Sequence, residues 1–167
     1  ERGSSCLKYY FNVLKKPQPE FGFTPDGDFP LIYGEKGICD YDLTGKLDLD
    51  PVISIDAGVA PNAVIDTAIV TLKRGDELIK YLANHPEIKY DFIKEENGVS
   101  TLKFIGKSAH GSMPEKGINA GMNLLVALSE TYKNKDLIKF VSQYKDFNGR
   151  GVGECHQTKY LGITTYN

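Results

Sequence analysis

The stretch YDFIKEENGVSTLKFIG, residues 90–106, decides the fold. Asn97-Gly98 stands between two strand-like runs, and Asn-Gly in that setting is the strongest short-range signal for a tight β-hairpin. Working upstream, VISIDA (52–57) alternates, and AVIDTAIVTL (63–72) is β-branched and apolar, so two more strands are expected. The loop GVAPN (58–62) joins them, and DELIKYLAN (76–84) reads as a short amphipathic helix closed by His85-Pro86. Downstream, after KSAHGSMPEKG (107–117), residues 118–132 place Ile118, Met122, Leu125 and Tyr132 on one helical face. Residues 136–144 form a second helix or its continuation. Gly149, Gly151 and Gly153 then loosen the chain before GITTY (162–166), a strand cut short by the chain's end. The order β-β-α-β-β-α-β predicts an α+β fold, with helices on one face of a mostly antiparallel sheet.

The N-terminal part reads differently. Leu7, Tyr10, Phe11 and Leu14 recur at three- and four-residue steps, and Ser4 or Ser5 can cap the start, so one helix is expected over residues 4–14, ended by Lys16-Pro17. In FGFTPDGDFPLIYGEKGICDYDL (21–43), residues 25–28 form an acidic turn and 30–33 a short strand. LTGK (43–46) looks like a linker. It places a boundary between a first unit, 1–45, and a second, 46–167.

Bulk properties narrow the function. The 167 residues are 41% hydrophobic and 25% charged with a formal charge of -2, the balance of an ordinary globular protein. Acidic and basic residues are interspersed and the pI is about 5.9, which argues against a nucleic-acid binder. No run approaches the roughly 18 apolar residues needed to span a bilayer. The first residues lack the basic-then-apolar order of a signal peptide, so a cytoplasmic address is the default. Cys6, Cys39 and Cys155 are odd in number and contain no C-x-x-C, so buried, reduced thiols are expected rather than a disulfide framework. The chain begins at Glu1 rather than Met, which a fragment or processed product explains most simply.

Three features could carry chemistry. Asp26 and Asp28 lie in the acidic turn among Phe21, Phe23 and Phe29. Turn aspartates usually just accept local backbone N–H groups, yet a carboxylate fixed beside an apolar strand is also a good cation ligand. His110 stands in GKSAHGSMP (106–114), a loop rich in small residues that leaves room for a ligand to approach the imidazole. An isolated histidine is more often structural, but it is also a side chain able to donate to an oxyanion near neutral pH. Asn62 more commonly caps a turn, though its amide could contact a ligand. His85 and His156 read as structural. The phosphate-loop, dinucleotide, H-E-x-x-H and G-x-S-x-G patterns are absent.

Together, FGFTPDGDFPLIYGEKG (21–37), GVAPNAV (58–64) and GKSAHGSMPEKGINAG (106–121), in that order, resemble the co-catalytic zinc peptidases of the aminoacylase and dipeptidase family, nearest to the bacterial PepV-type dipeptidases. ERGSSC (1–6) resembles the tail of that family's Glu-Glu-x-Gly-Ser motif. GITTYN (162–167) resembles its G-x-L-T-x-N strand, with Thr164 replacing the leucine. The resemblance implies that the first unit is a strip of an α/β catalytic domain and the second a lid or dimerisation-type domain. It also implies two zinc ions per active site. Glu1 would be the zinc-binding second glutamate, with the general base just upstream, and Asp26 would ligate the other zinc. His110 would be the lid histidine that stabilises the tetrahedral intermediate, and Asn62 a lid asparagine near the substrate.

The expected substrate is a dipeptide or short peptide, with no nucleic-acid or membrane partner and a possible homodimer through the lid. A histidine ligand and a bridging aspartate would precede Glu1, and a second histidine and a carboxylate-binding arginine would follow Asn167. The chain alone is therefore expected neither to hold zinc tightly nor to hydrolyse peptides. The P-D-x-x-F-P turn favours a dipeptidase over the family's deacylases of N-acyl amino acids. A non-catalytic α+β binding module is the alternative from another class.

Overall fold

The computed structural model of the protein describes residues 5–22, 42, 44–144, 157–158 and 162–163. The chain divides into two compact units, Glu1–Glu35 and Lys36–Asn167. In the first unit, helix α1 runs α-helically over Ser5–Lys8 and widens into a π-helical turn at Tyr9–Val13. The Leu14 N–H closes that wider turn on the Tyr9 carbonyl at 3.0 Å, and Lys15, at φ +53°, ends it. This agrees with the expected helix to within a residue at each end. The helix buries no side chain, however, and Cys6 is exposed, which corrects the expectation of a buried thiol at that position. The turn at 25–28, the strand at 30–33, Cys39 and Cys155 lie outside the described residues.

The second unit is α+β. Its strands β1 (Val52–Ala57), β2 (Thr67–Lys73), β3 (Lys89–Glu96) and β4 (Val99–Ile105) form one sheet in the order β1-β2-β4-β3, and every neighbouring pair is antiparallel. The 90–106 hairpin forms as read: Asn97 and Gly98 take φ of +52° and +75° and link β3 to β4. Helices α2 (Gly75–Ala83), α3 (Ala120–Tyr132) and α4 (Lys135–Tyr144) cover one face.

Strand alternation decides which face. Ala68, Val70 and Leu72 of β2 and Leu102 and Phe104 of β4 are wholly buried, and they share one core with Leu78 and Leu82 of α2, Leu124, Ala127 and Leu128 of α3, and Leu137 and Val141 of α4. Burying each large side chain of that set stabilises the fold by about 1.5–3 kcal/mol. The intervening residues Ile69, Thr71, Thr101 and Lys103 line the opposite face, where the hydroxyls of Thr71 and Thr101 meet across the strands at 3.3 Å. A further two-residue pairing joins β5 (Gln157–Thr158) to β6 (Gly162–Ile163). Among the described residues no helix is long and apolar enough to cross a membrane.

Two elements start later than the sequence suggests. Strand β2 begins at Thr67 rather than at residue 63: the Ala63 N–H closes a turn on the Ala60 carbonyl, and the Val64 N–H and the Ile65 and Asp66 carbonyls bond to Ala109, Ala120 and Gly106 beyond β4. Helix α3 begins at Ala120 rather than at residue 118, because the Asn119 side chain accepts the Met122 N–H at 2.9 Å and so caps the helix there. The buried face of α3 is accordingly Leu124, Ala127 and Leu128, with Leu125 and Tyr132 at its margin, while Ile118 stays exposed outside the helix.

Candidate functional site

The β2–β4 ladder does not stop at its last strand pair. Thr67 faces Ile105, and four residues back from Thr67 the isolated bridge Ala63↔His110 resumes the pairing five residues on from Ile105. The histidine side therefore carries one extra residue, which acts as a bulge and re-aims the chain beyond it. Two backbone bonds frame the bridge: the Val64 N–H donates to the Ala109 carbonyl, and the Gly111 N–H donates to the Asn62 carbonyl, both at 2.9 Å. The loops that hold Asn62 and His110 are thus one backbone unit.

The histidine loop is also closed at its base. Lys107 and Ile118 exchange both N–H···O bonds at 2.9 Å. So tight a closure leaves no room for side chains at two positions. A Cβ on Gly106 would fall on the Ile118 carbonyl oxygen, and one on Gly117 would stand 2.9 Å from the Lys107 carbonyl oxygen and from Val64 Cγ1. Below the loop, the Gly106 N–H donates to the Asp66 carbonyl at 2.8 Å and the Ala120 N–H to the Ile65 carbonyl at 2.7 Å. Pro114 is buried and opens a single 3-10 turn, Pro114–Lys116.

Five residues of the 106–121 segment have a packing or capping duty. Gly106 and Gly117 allow the close approach, Pro114 fills a buried position, Asn119 caps α3 and Ala120 is wholly buried. His110 is exposed. Its Nδ1 lies 2.8 Å from the Ser112 hydroxyl and 3.2 Å from the Ser112 backbone nitrogen. A backbone N–H can only donate, so Nδ1 is the acceptor, the hydroxyl donates as well, and the neutral ring carries its proton on Nε2. That N–H projects from the ring edge opposite the Ser112 contacts. The loop therefore presents a single, oriented donor.

Asn62 is likewise exposed, and among the described residues no hydrogen bond joins its amide to the imidazole. The structure brings the two loops together through their backbones. His85 has a structural environment: its Nδ1 lies 2.8 Å from the Tyr81 carbonyl and its ring stacks on the Tyr81 ring at 3.9 Å. Glu1 and Asp26, the zinc ligands that the resemblance implies, lie outside the described residues, as does His156. Among the described residues no three His, Cys, Asp or Glu side chains are grouped as a metal site. Ser112 is the residue that the sequence reading missed. A serine two positions after a histidine in a small-residue loop is the available signal, since such hydroxyls bond locally.

No protein-family model matches the chain. Curated relatives do. The chain is 31% identical over 170 residues to the "Putative dipeptidase" of Staphylococcus saprophyticus, which covers 95% of this chain and 35% of that protein. It is 31% identical over 172 residues to the similarly named protein of Staphylococcus haemolyticus, with the same coverage. It is 29% identical over 185 residues to that of Staphylococcus aureus, covering 97% of this chain and 38% of the relative. The chain thus spans somewhat over a third of the length of the curated relatives it matches.

Proposed function

We propose that the chain forms the lid, and a strip of the metal-binding domain, of a zinc-dependent dipeptidase of the aminoacylase and dipeptidase family, of the PepV type. The observation that carries this reading is the exposed, Nε2-protonated His110 on a loop pinned at its base and along its side. The names of the staphylococcal relatives support its dipeptidase part.

Hydrolysis of a peptide bond turns the scissile carbonyl oxygen into an oxyanion, and catalysis comes from donors aimed at where that charge develops. His110 supplies such a donor. The double backbone bond to the Asn62 loop and the closed base at Lys107 and Ile118 fix its position before the substrate arrives, so little reorganisation accompanies the reaction. In this reading Asn62, one residue from the bridge, contacts the same substrate. In this reading Glu1 and Asp26 hold zinc. Zinc, when bound, lowers the pKa of water and polarises the carbonyl.

The test is turnover of a dipeptide by the complete product of the gene and by its His110→Ala variant, supplied with zinc. The expected result is a 10²- to 10³-fold loss in kcat with zinc content unchanged. Unchanged kcat removes His110 from the mechanism. Faster hydrolysis of N-acyl amino acids than of dipeptides would move the assignment to the deacylases.

A further inference from the structure

We infer that Ser112 is a positioning residue for His110: its backbone N–H selects the Nε2–H tautomer and its hydroxyl fixes the plane of the ring. The proposal rests on the dipeptidase reading for its consequence, but not for its geometry. A neutral imidazole has two tautomers, and only one offers its donor at Nε2. An exposed ring on a flexible loop would sample both tautomers and several rotamers. Here the Met113 N–H donates to the His110 carbonyl at 2.8 Å, closing the turn of residues 110–113 and holding the Ser112 N–H and hydroxyl together against Nδ1.

Both groups donate to the same lone pair. The amide is the fixed element, and at 3.2 Å it is the longer contact; the hydroxyl at 2.8 Å is the shorter one and can rotate to complete the arrangement. In the alternative tautomer, Nδ1–H would point at an amide N–H, and the oxyanion side of the ring would present a lone pair to a developing negative charge. That form is useless for stabilisation and repels the transition state. The serine hydroxyl therefore acts on the reaction through the histidine, without touching substrate.

The experiment has two arms. In the first, the 167-residue chain is labelled with ¹⁵N at histidine, and the ring nitrogens of the neutral His110 imidazole are read by NMR in the wild type, Ser112→Ala and Ser112→Thr. The wild type is expected to show the Nε2–H form. Ser112→Ala keeps the backbone donor, and a hydroxyl can donate to Nδ1 or accept from Nδ1–H, so the variant is expected to keep the Nε2–H form but to lose order in the ring, read from relaxation of its ¹⁵N nuclei. Ser112→Thr, which keeps the hydroxyl, is expected to restore the ring order. Unchanged ring order in Ser112→Ala overturns the proposal, as does a wild type in the Nδ1–H form. Ser112 is exposed, so both variants are expected to fold, and retained amide dispersion in the same spectra checks it.

In the second arm the complete product of the gene is assayed on a dipeptide. Ser112→Ala is expected to lower kcat roughly fivefold, the worth of the one neutral hydrogen bond that holds the ring, with KM unchanged, and Ser112→Thr to restore it. Loss of KM alone, or no rescue by threonine, overturns the positioning role. If the ring loses order in the first arm but neither Ser112→Ala nor His110→Ala changes kcat, the geometry stands and the dipeptidase reading of His110 falls. The two failures are thereby distinguished.

Discussion

Ala63 and His110 face one another as an antiparallel bridge, bounded on both sides by backbone hydrogen bonds. In a bridge of this kind the paired side chains lie on one face at close range, the Cα atoms about 4.5 Å apart. Alanine opposite the histidine is thus the small partner that leaves the imidazole uncovered. Residues 63–65, apolar enough to read as strand, are held otherwise: the Ala63 N–H donates to the Ala60 carbonyl, the Val64 N–H to the Ala109 carbonyl, and the Ile65 carbonyl accepts from the Ala120 N–H.

The close base of that loop gives the first prediction. Gly106→Ala places a methyl group on the Ile118 carbonyl, so the Lys107 and Ile118 pairing must open or β4 must shift. The expected cost is about 1–3 kcal/mol, as for other overpacked sites. Urea unfolding of the chain checks it. No loss of stability would mean that the base is looser than the paired bonds require.

A second prediction concerns the join between the loop and the helix that follows. Asn119→Ala removes the cap on the Met122 N–H and should lower stability by about 1 kcal/mol. Asn119→Asp, which keeps the acceptor, should retain most of it. Both are read from chemical denaturation midpoints, and equal losses in the two variants would show that the side chain acts other than as a cap.

The core supplies a third. Phe104 is wholly buried, shares the core with all three helices and has its ring centroid 6.5 Å from that of Tyr90. Phe104→Ala should cost about 3–5 kcal/mol. A loss below about 1 kcal/mol in urea unfolding would contradict the placement of β4 at the centre of the core.

How legible all this was differs by residue. The hairpin at Asn97-Gly98 is a two-residue signal whose backbone angles follow from residue type alone, and the helix-facing set on β2 and β4 follows from alternation. These are local properties. The starts of β2 and α3 were misplaced because apolar residues such as Ala63, Val64 and Ile118 satisfy a strand or helix pattern equally well, while their actual partners lie some 45 residues away or in a cross-loop bridge. Of the candidate site, His110 and Asn62 were visible as residue types in small-residue loops. Their adjacency was not, because it depends on a bulge in a ladder between segments distant in sequence. Ser112 was not singled out because its partner is a ring nitrogen whose role depends on loop geometry.

Metal content yields a fourth prediction. The resemblance puts at most two of five zinc ligands, Glu1 and Asp26, on this chain, and no further cluster of three metal-binding side chains exists among the described residues. A tight site requires three or four protein ligands. Calorimetric titration of the 167-residue chain with zinc is expected to show no stoichiometric, tight binding, and the complete product of the gene is expected to show it. One equivalent of zinc retained by the chain through dialysis would contradict the ligand assignment.

The last prediction concerns Tyr132, at the C-terminal end of α3. Its hydroxyl donates to the Arg74 carbonyl at 2.9 Å, and the Arg74 guanidinium lies 5.6 Å from the ring centre while pairing with Asp50 at 3.0 Å. Burial, helped by the negative charge of Glu77 and opposed by Arg74, pushes the phenol up to about 12 from its ordinary value near 10. The folded state therefore holds the proton more tightly than the unfolded chain. The stability this contributes is fully present below pH 10 and is lost as pH rises from 10 through 12. Because other tyrosines and lysines titrate nearby, the useful quantity is the difference in unfolding free energy between wild type and Tyr132→Phe. That difference should favour the wild type at pH 8 by about 0.5–1.5 kcal/mol, the net worth of the hydroxyl's hydrogen bond, and should shrink steadily across pH 10–12. A difference that stays flat or grows over that window would place the hydroxyl in solvent rather than against the Arg74 carbonyl.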